Sequence, residues 1–184
     1  LFKQAKINTV TVGIFSWAKL EPQEGNYDFS WLDEIFDRVE EMNGHVILAT
    51  PSGARPAWLA QKYPEVLRTD NWGNKRGFGG RHNHCLTSPI YRKKVYEINT
   101  KLAEHFGQRK SLVLWHISNE YSGECYCDLC KDAFRKWLKN KYGDLATLNH
   151  AWWNTFWSHT YNEWDQVNPP SPLSEMGNKG MSLD

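Results

Sequence analysis

Short continuous apolar runs alternate along the chain with longer stretches in which apolar residues recur every three or four positions. Thr9-Val10-Thr11-Val12-Gly13-Ile14-Phe15 is β-branched and too short for a helix, so it predicts a buried strand. A loop through Glu21–Gly25 follows. Ser30-Trp31-Leu32-Asp33 has the form of a capping box, and Leu32, Ile35, Phe36, Val39 and Met42 share one helical face until Gly44 supplies a stop. His45–Thr50 predicts a second strand closed by Pro51-Ser52-Gly53, after which Pro56 opens a short helix with Trp58 and Leu59. A long loop is expected from Asp70 to Thr87. Ser88-Pro89 then pairs an N-cap with proline at the first helical position, and Tyr91, Val95, Ile98 and Leu102 share a face before Gly107. Leu112–Ile117 predicts the third strand. Beyond a cysteine-rich loop, a helix is expected from Asp128 to Tyr142 with Phe134, Trp137 and Leu138 inward. Gly143 stops it, and an Asp144-capped helix carries Trp152, Trp153 and Trp157.

Strands alternating with helices, each strand a continuous apolar run, predict an α/β fold with parallel strands and right-handed helical crossovers. No strand is followed by the glycine fingerprint of a dinucleotide-binding unit; the one glycine cluster, Gly77, Gly79 and Gly80, opens no helix at once. A complete (β/α)8 barrel takes about 250 residues, so three βα units in 184 residues would be less than half of one. Leu1–Lys6 reads as the last turns of a helix already under way, and Asn168-Pro169-Pro170-Ser171-Pro172 leads into polar residues without periodicity. The expectation is therefore a fragment of one domain, spanning 1–184 and incomplete at both ends.

Charge adds mainly exclusions. With 22 basic and 21 acidic residues the net charge is +1, which offers no footprint for nucleic acid or an anionic membrane. No run approaches the roughly 18 consecutive apolar residues of a membrane span and no secretory leader is visible, so a soluble, cytoplasmic protein is expected. The aromatic content is high, with 10 Trp, 8 Tyr and 8 Phe. Most fill a core, but such rings also meet the flat faces of sugars.

Two constellations could carry chemistry. Asn119 and Glu120 lie just past the carboxyl end of the third expected strand, where parallel α/β folds collect catalytic groups. A carboxyl beside Trp115 and Tyr121 would lose solvation and suit a general acid, while the neighbouring amide would grip a hydroxyl. A plain loop carboxylate capping the next segment is the structural alternative. The second constellation is Cys125-x-Cys127-x-x-Cys130, with Cys85 in the loop after the preceding strand. Four thiolates brought together by neighbouring loops would make a closed structural zinc site, with no position left for an activated water. Two disulfides are the alternative, and His82 and His84 flank Cys85 as competing ligands.

Four separated segments in order carry a resemblance over essentially the whole chain. Gly13-Ile14-Phe15-Ser16-Trp17-Ala18-Lys19-Leu20-Glu21-Pro22, Ala49-Thr50-Pro51-Ser52-Gly53-Ala54-Arg55-Pro56-Ala57-Trp58, Arg81-His82-Asn83-His84-Cys85 and Trp115-His116-Ile117-Ser118-Asn119-Glu120-Tyr121 resemble the glycoside hydrolase family 42 β-galactosidases. The resemblance implies a partial (β/α)8 barrel whose strands here are the second to fourth. It implies a retaining hydrolase of terminal β-D-galactosides, with Glu120 as acid/base and Asn119 and Arg81 holding the galactosyl group. The nucleophile would be a glutamate near the seventh strand, absent from this chain, so the isolated chain is expected to be inactive. It implies zinc on Cys85, Cys125, Cys127 and Cys130, and a homotrimer in which an aromatic among Trp152, Trp153 and Trp157 lies near a sugar pocket. Trp17, Trp58 and Tyr121 are equally plausible pocket walls. A related glycosidase acting on an α-L-arabinopyranoside, a sugar-binding remnant and a zinc-dependent nucleic-acid module are the competing readings.

Overall fold

The computed structural model describes residues 1–171. Pro172 and the side chain of Trp157 lie outside the described residues. The chain divides into two compact units, residues 1–67 with 76–123, and residues 68–75 with the segment from Glu124 on.

The first unit is built on three parallel strands in the order β1 (Thr9–Val12), β2 (His45–Ala49), β3 (Leu112–His116). Thr9 pairs with His45 and Leu48 with Trp115, with one register shift between Val46 and Ile47. A short helix α1 (Trp17–Leu20) follows β1; the crossovers run through α2 (Ser30–Glu41) and, after the short α3 (Ala57–Lys62), through α4 (Pro89–Phe106). Val46 and Leu48, two apart and so on one face of β2, are wholly buried in the same core as Leu32, Phe36 and Val39 of α2 and Ile98, Leu102 and Phe106 of α4. The Phe36 and Phe106 rings stack with centroids 4.7 Å apart.

Several boundaries differ from the pattern. β1 stops at Val12 because Gly13 takes φ +86°, where a Cβ would also stand 3.3 Å from the Ala49 carbonyl oxygen. Ser30 is not the cap of α2 but its first residue; the Asp28 carboxylate accepts from both its backbone N–H, at 3.0 Å, and its hydroxyl, at 2.6 Å. Residues 1–6 form turns, with Ala5 N–H donating to Leu1 O at 2.9 Å, rather than regular helix. Ser88 caps α4 as expected, its hydroxyl accepting from Tyr91 N–H at 3.3 Å.

In the second unit α5 (Asp128–Tyr142) and α6 (Leu145–Trp152) enclose a small core of Leu138, Leu148 and Val167, flanked by Phe134, Trp152 and Trp164. Asp144 caps α6 by accepting from Thr147 N–H at 2.8 Å. The three tryptophans do not share one helix. Trp153 adopts φ +57° and ends α6, and Trp157 lies in a separate helical turn, Phe156–Ser158. Trp152 belongs to the core, whereas Trp153 is exposed.

Candidate active site

The carboxyl ends of β2 and β3 are tied together. Thr50 N–H donates to His116 O at 2.9 Å, and Ser118 N–H donates to the Thr50 hydroxyl at 2.7 Å. This second bond braces a turn in which Ser118 and Glu120 both take left-handed φ, +52° and +42°. Each such residue costs on the order of 1–3 kcal/mol and persists only where its surroundings over-determine it. Gly53 leaves room for Phe15, since a Cβ there would stand 3.0 Å from its ring, whereas Ser118 Oγ, at 3.6 Å, would be in ordinary contact.

The turn projects Glu120 toward the loop that follows β2. There Arg81 meets it, Nη1 to Oε2, at 2.6 Å. His82 N–H, donating to Gly53 O at 2.9 Å, fixes the residue next to Arg81. Both partners are open to solvent, Arg81 by 52% and Glu120 by 66% of the side chain. The expected enclosure by Trp115 and Tyr121 is therefore corrected: Tyr121 is itself exposed and lies 6.2 Å, centroid to centroid, from His82. An exposed pair contributes little stability; at 2.6 Å it orients two groups toward the same accessible space. Asn119 is half-buried between its two strained neighbours.

One expected wall, Trp17, lies in the core. It donates through Nε1 to Glu21 Oε2 at 2.7 Å, and Trp58 donates to Glu21 O at 2.8 Å. Glu21, 1% exposed, also accepts from Gly25 N–H at 2.8 Å. Burial pushes its carboxyl above the ordinary range, against the lowering by Gly25 and Trp17. Tyr91 donates to Ser52 O at 2.9 Å and stacks on His84 at 4.1 Å; burial pushes its hydroxyl well above the ordinary phenol range. Thr50 escaped sequence reasoning because a threonine ending a strand has no signature of a brace.

Three of the four cysteines meet within the second unit: the sulfurs of Cys125, Cys127 and Cys130, all half-buried, lie within 4.8 Å of one another, and Cys85 is buried in the first unit. Thr69 N–H donates to Cys125 Sγ at 3.5 Å.

The glycoside hydrolase 42 family, described as β-galactosidase, matches residues 1–184. The chain belongs to this family. It is 60% identical, over its whole length, to β-galactosidase GanA of Bacillus subtilis, of which it covers 28%. It is 56% identical to β-galactosidase BglY of Alicyclobacillus acidocaldarius, over all of this chain and 27% of that one. Among solved structures it is similar to a family 42 β-galactosidase of G. stearothermophilus, at 58% identity and TM-score 0.91, over 95% of this chain and 26% of that one. A cold-adapted β-galactosidase of Rahnella sp. aligns with 53% identity and TM-score 0.91 over the same shares. The chain thus spans little more than a quarter of its relatives, and its α/β fold with a three-stranded parallel sheet is part of the barrel of these enzymes.

Proposed function

We propose that the longer protein carrying this chain is a retaining β-galactosidase and that Glu120 is its acid/base, with Arg81 and Asn119 holding the galactosyl group. The supporting observation is the Arg81–Glu120 pair at 2.6 Å, on the carboxyl-end side of two neighbouring parallel strands. Glu120 protonates the glycosidic oxygen as the aglycone leaves, then takes a proton from the water that releases galactose. The second carboxylate of such a mechanism attacks the anomeric carbon from about 5–5.5 Å away. No residue of this chain is assigned that role. Glu21 is buried and held by Trp17 and Gly25, and Glu24 is engaged by Lys62 and Lys94. Neither carboxylate is available to a sugar. Arg81 offers a fixed fork of donors for hydroxyls and for the Glu120 carboxylate, and the Asn119 amide both donates and accepts.

We also propose that Cys85, Cys125, Cys127 and Cys130 hold a structural zinc. Zinc–sulfur bonds of about 2.3 Å in a regular tetrahedron put neighbouring sulfurs a little under 4 Å apart, compatible with the sulfurs of Cys125, Cys127 and Cys130 lying within 4.8 Å of one another. Zinc so bound would be closed to water and would supply folding energy rather than a step of catalysis.

The deciding experiment is Glu120→Gln in the full-length protein. Turnover of an alkyl β-galactoside should fall about 10²–10⁴-fold, with a smaller loss in the first step for an activated aryl galactoside that needs no proton. Wild-type turnover of the alkyl substrate would overturn the assignment.

A further inference from the structure

Arg55 is 3% exposed, and among the described residues no carboxylate lies within ion-pair distance of it. Its Nε is buried without an acceptor. A buried cation that lacks a counter-ion is costly and does not repay that cost in stability, so its contacts have to explain why it is there. Nη1 donates to Asn83 Oδ1, and Nη2 lies 3.5 Å from Gly77 O. The Asn83 amide, itself 8% exposed, donates through Nδ2 to Gly77 O at 2.9 Å and to Gly79 O at 2.5 Å. Its oxygen and both amide protons are thus committed, which fixes the orientation of the group. Gly79 and Gly80 take φ of +102° and +73° and have open space around them, so packing does not shape this loop. The guanidinium and amide give it the polar contacts that packing does not provide. The next residue is Arg81, whose guanidinium meets Glu120.

We propose that Arg55, acting through Asn83, is a positioning residue that sets Arg81 against Glu120. This rests on the reading of Arg81 and Glu120 as the galactoside site. The buried cation fixes the amide, the amide fixes the carbonyls of Gly77 and Gly79, and the loop so held delivers Arg81 to the carboxylate. Neither Arg55 nor Asn83 touches substrate in this account. Their effect on turnover passes entirely through Arg81.

The test is a double-mutant cycle in the full-length protein, measured as kcat/KM on an aryl β-galactoside and on an alkyl β-galactoside. Arg55→Met should lower kcat/KM by roughly 10²-fold, the size of loss that misplacing a site group by about 1 Å produces. Asn83→Ala should do the same while leaving the guanidinium in place. Arg55→Lys, which keeps a donor for Asn83 Oδ1, should recover part of the loss. In an Arg81→Ala background both substitutions should add almost nothing, because the residue they position is gone. Losses that multiply in that background would overturn the proposal, since they would report a general structural role. If both Arg55→Met and Asn83→Ala failed to fold, the pair would be holding the fold and the proposal would also fall. Wild-type kcat/KM in Arg81→Ala alone would instead overturn the reading of the site on which the proposal rests.

Discussion

Glu24 is paired with two lysines and a tyrosine. Lys62 and Lys94 both donate to it, Lys94 at 2.7 Å, and Tyr63 donates at 3.0 Å. The Lys62 contact, then that of Lys94, pull its pKa from an ordinary 4.5 to about 2. A carboxyl whose folded pKa is depressed stabilises the fold above its unfolded value and loses that contribution as pH falls through the folded one. Stability supplied by Glu24 should therefore be complete above pH 4.5 and fade toward pH 2. In acid denaturation of the full-length protein, Glu24→Gln should start less stable and show a shallower decline across that window. A decline as steep as in the wild type would show that Glu24 does not carry it. Thr50 can be examined in the same protein. Thr50→Val keeps the shape but leaves the buried Ser118 N–H without its acceptor, at a cost of about 1–3 kcal/mol, whereas Thr50→Ser should retain the bond. The sequence made Asn119 and Glu120 visible because their place at a strand end is a property of chain order. It could not show that Trp17 faces the core or that Glu120 stands open, because burial depends on what packs around a side chain.

A helix end is legible in the sequence where its own side chain does the capping, and not where a neighbour substitutes for it. Ser88 caps α4 itself, so Ser88→Ala should cost about 0.5–2 kcal/mol. Ser30 does not cap α2, and Asp28 accepts its hydrogen bonds instead. Ser30→Ala should cost less than Ser88→Ala when thermal or denaturant midpoints are compared. The spacing of Trp152 and Trp153 suggested a continuous aromatic face, but α6 ends when Trp153 turns left-handed, and a residue type with no preference for that conformation gives no warning. For the cysteines, spacing alone leaves disulfides open, and the meeting of three sulfurs within the second unit favours a shared ion. Elemental analysis of the full-length protein should find about one zinc per chain. Chelation should lower the melting temperature before it changes kcat, and four titratable thiols with no metal in the native protein would end the zinc reading.

Alternation of strand and helix was enough to give parallel α/β architecture, since crossovers of this length leave few other arrangements. Choosing a barrel over an open sheet took the resemblance, because three strands are common to both. β3 pairs only with β2 among the described residues, and Val113, Leu114 and Ile117 are 51%, 56% and 61% exposed. Such an apolar edge recruits further strands or other copies. The 184-residue chain expressed alone should self-associate, and it should give no multiple turnover of an activated aryl β-galactoside. Turnover abolished by Glu120→Ala would show that the chain holds a second working carboxylate after all.

The brace between Thr50 and Ser118 also sets an order of events in time. Thr50 is made early and can close the β1–α2–β2 segment with its neighbours, but Ser118 reaches it only after the whole α4 crossover has been synthesised and β3 has docked. Long-range pairing of this kind is slow relative to local helix formation. The turn carrying Glu120 therefore forms only once α4 and β3 have joined the core around Phe36 and Val46, and on refolding of the full-length protein, recovery of activity should lag behind helix formation.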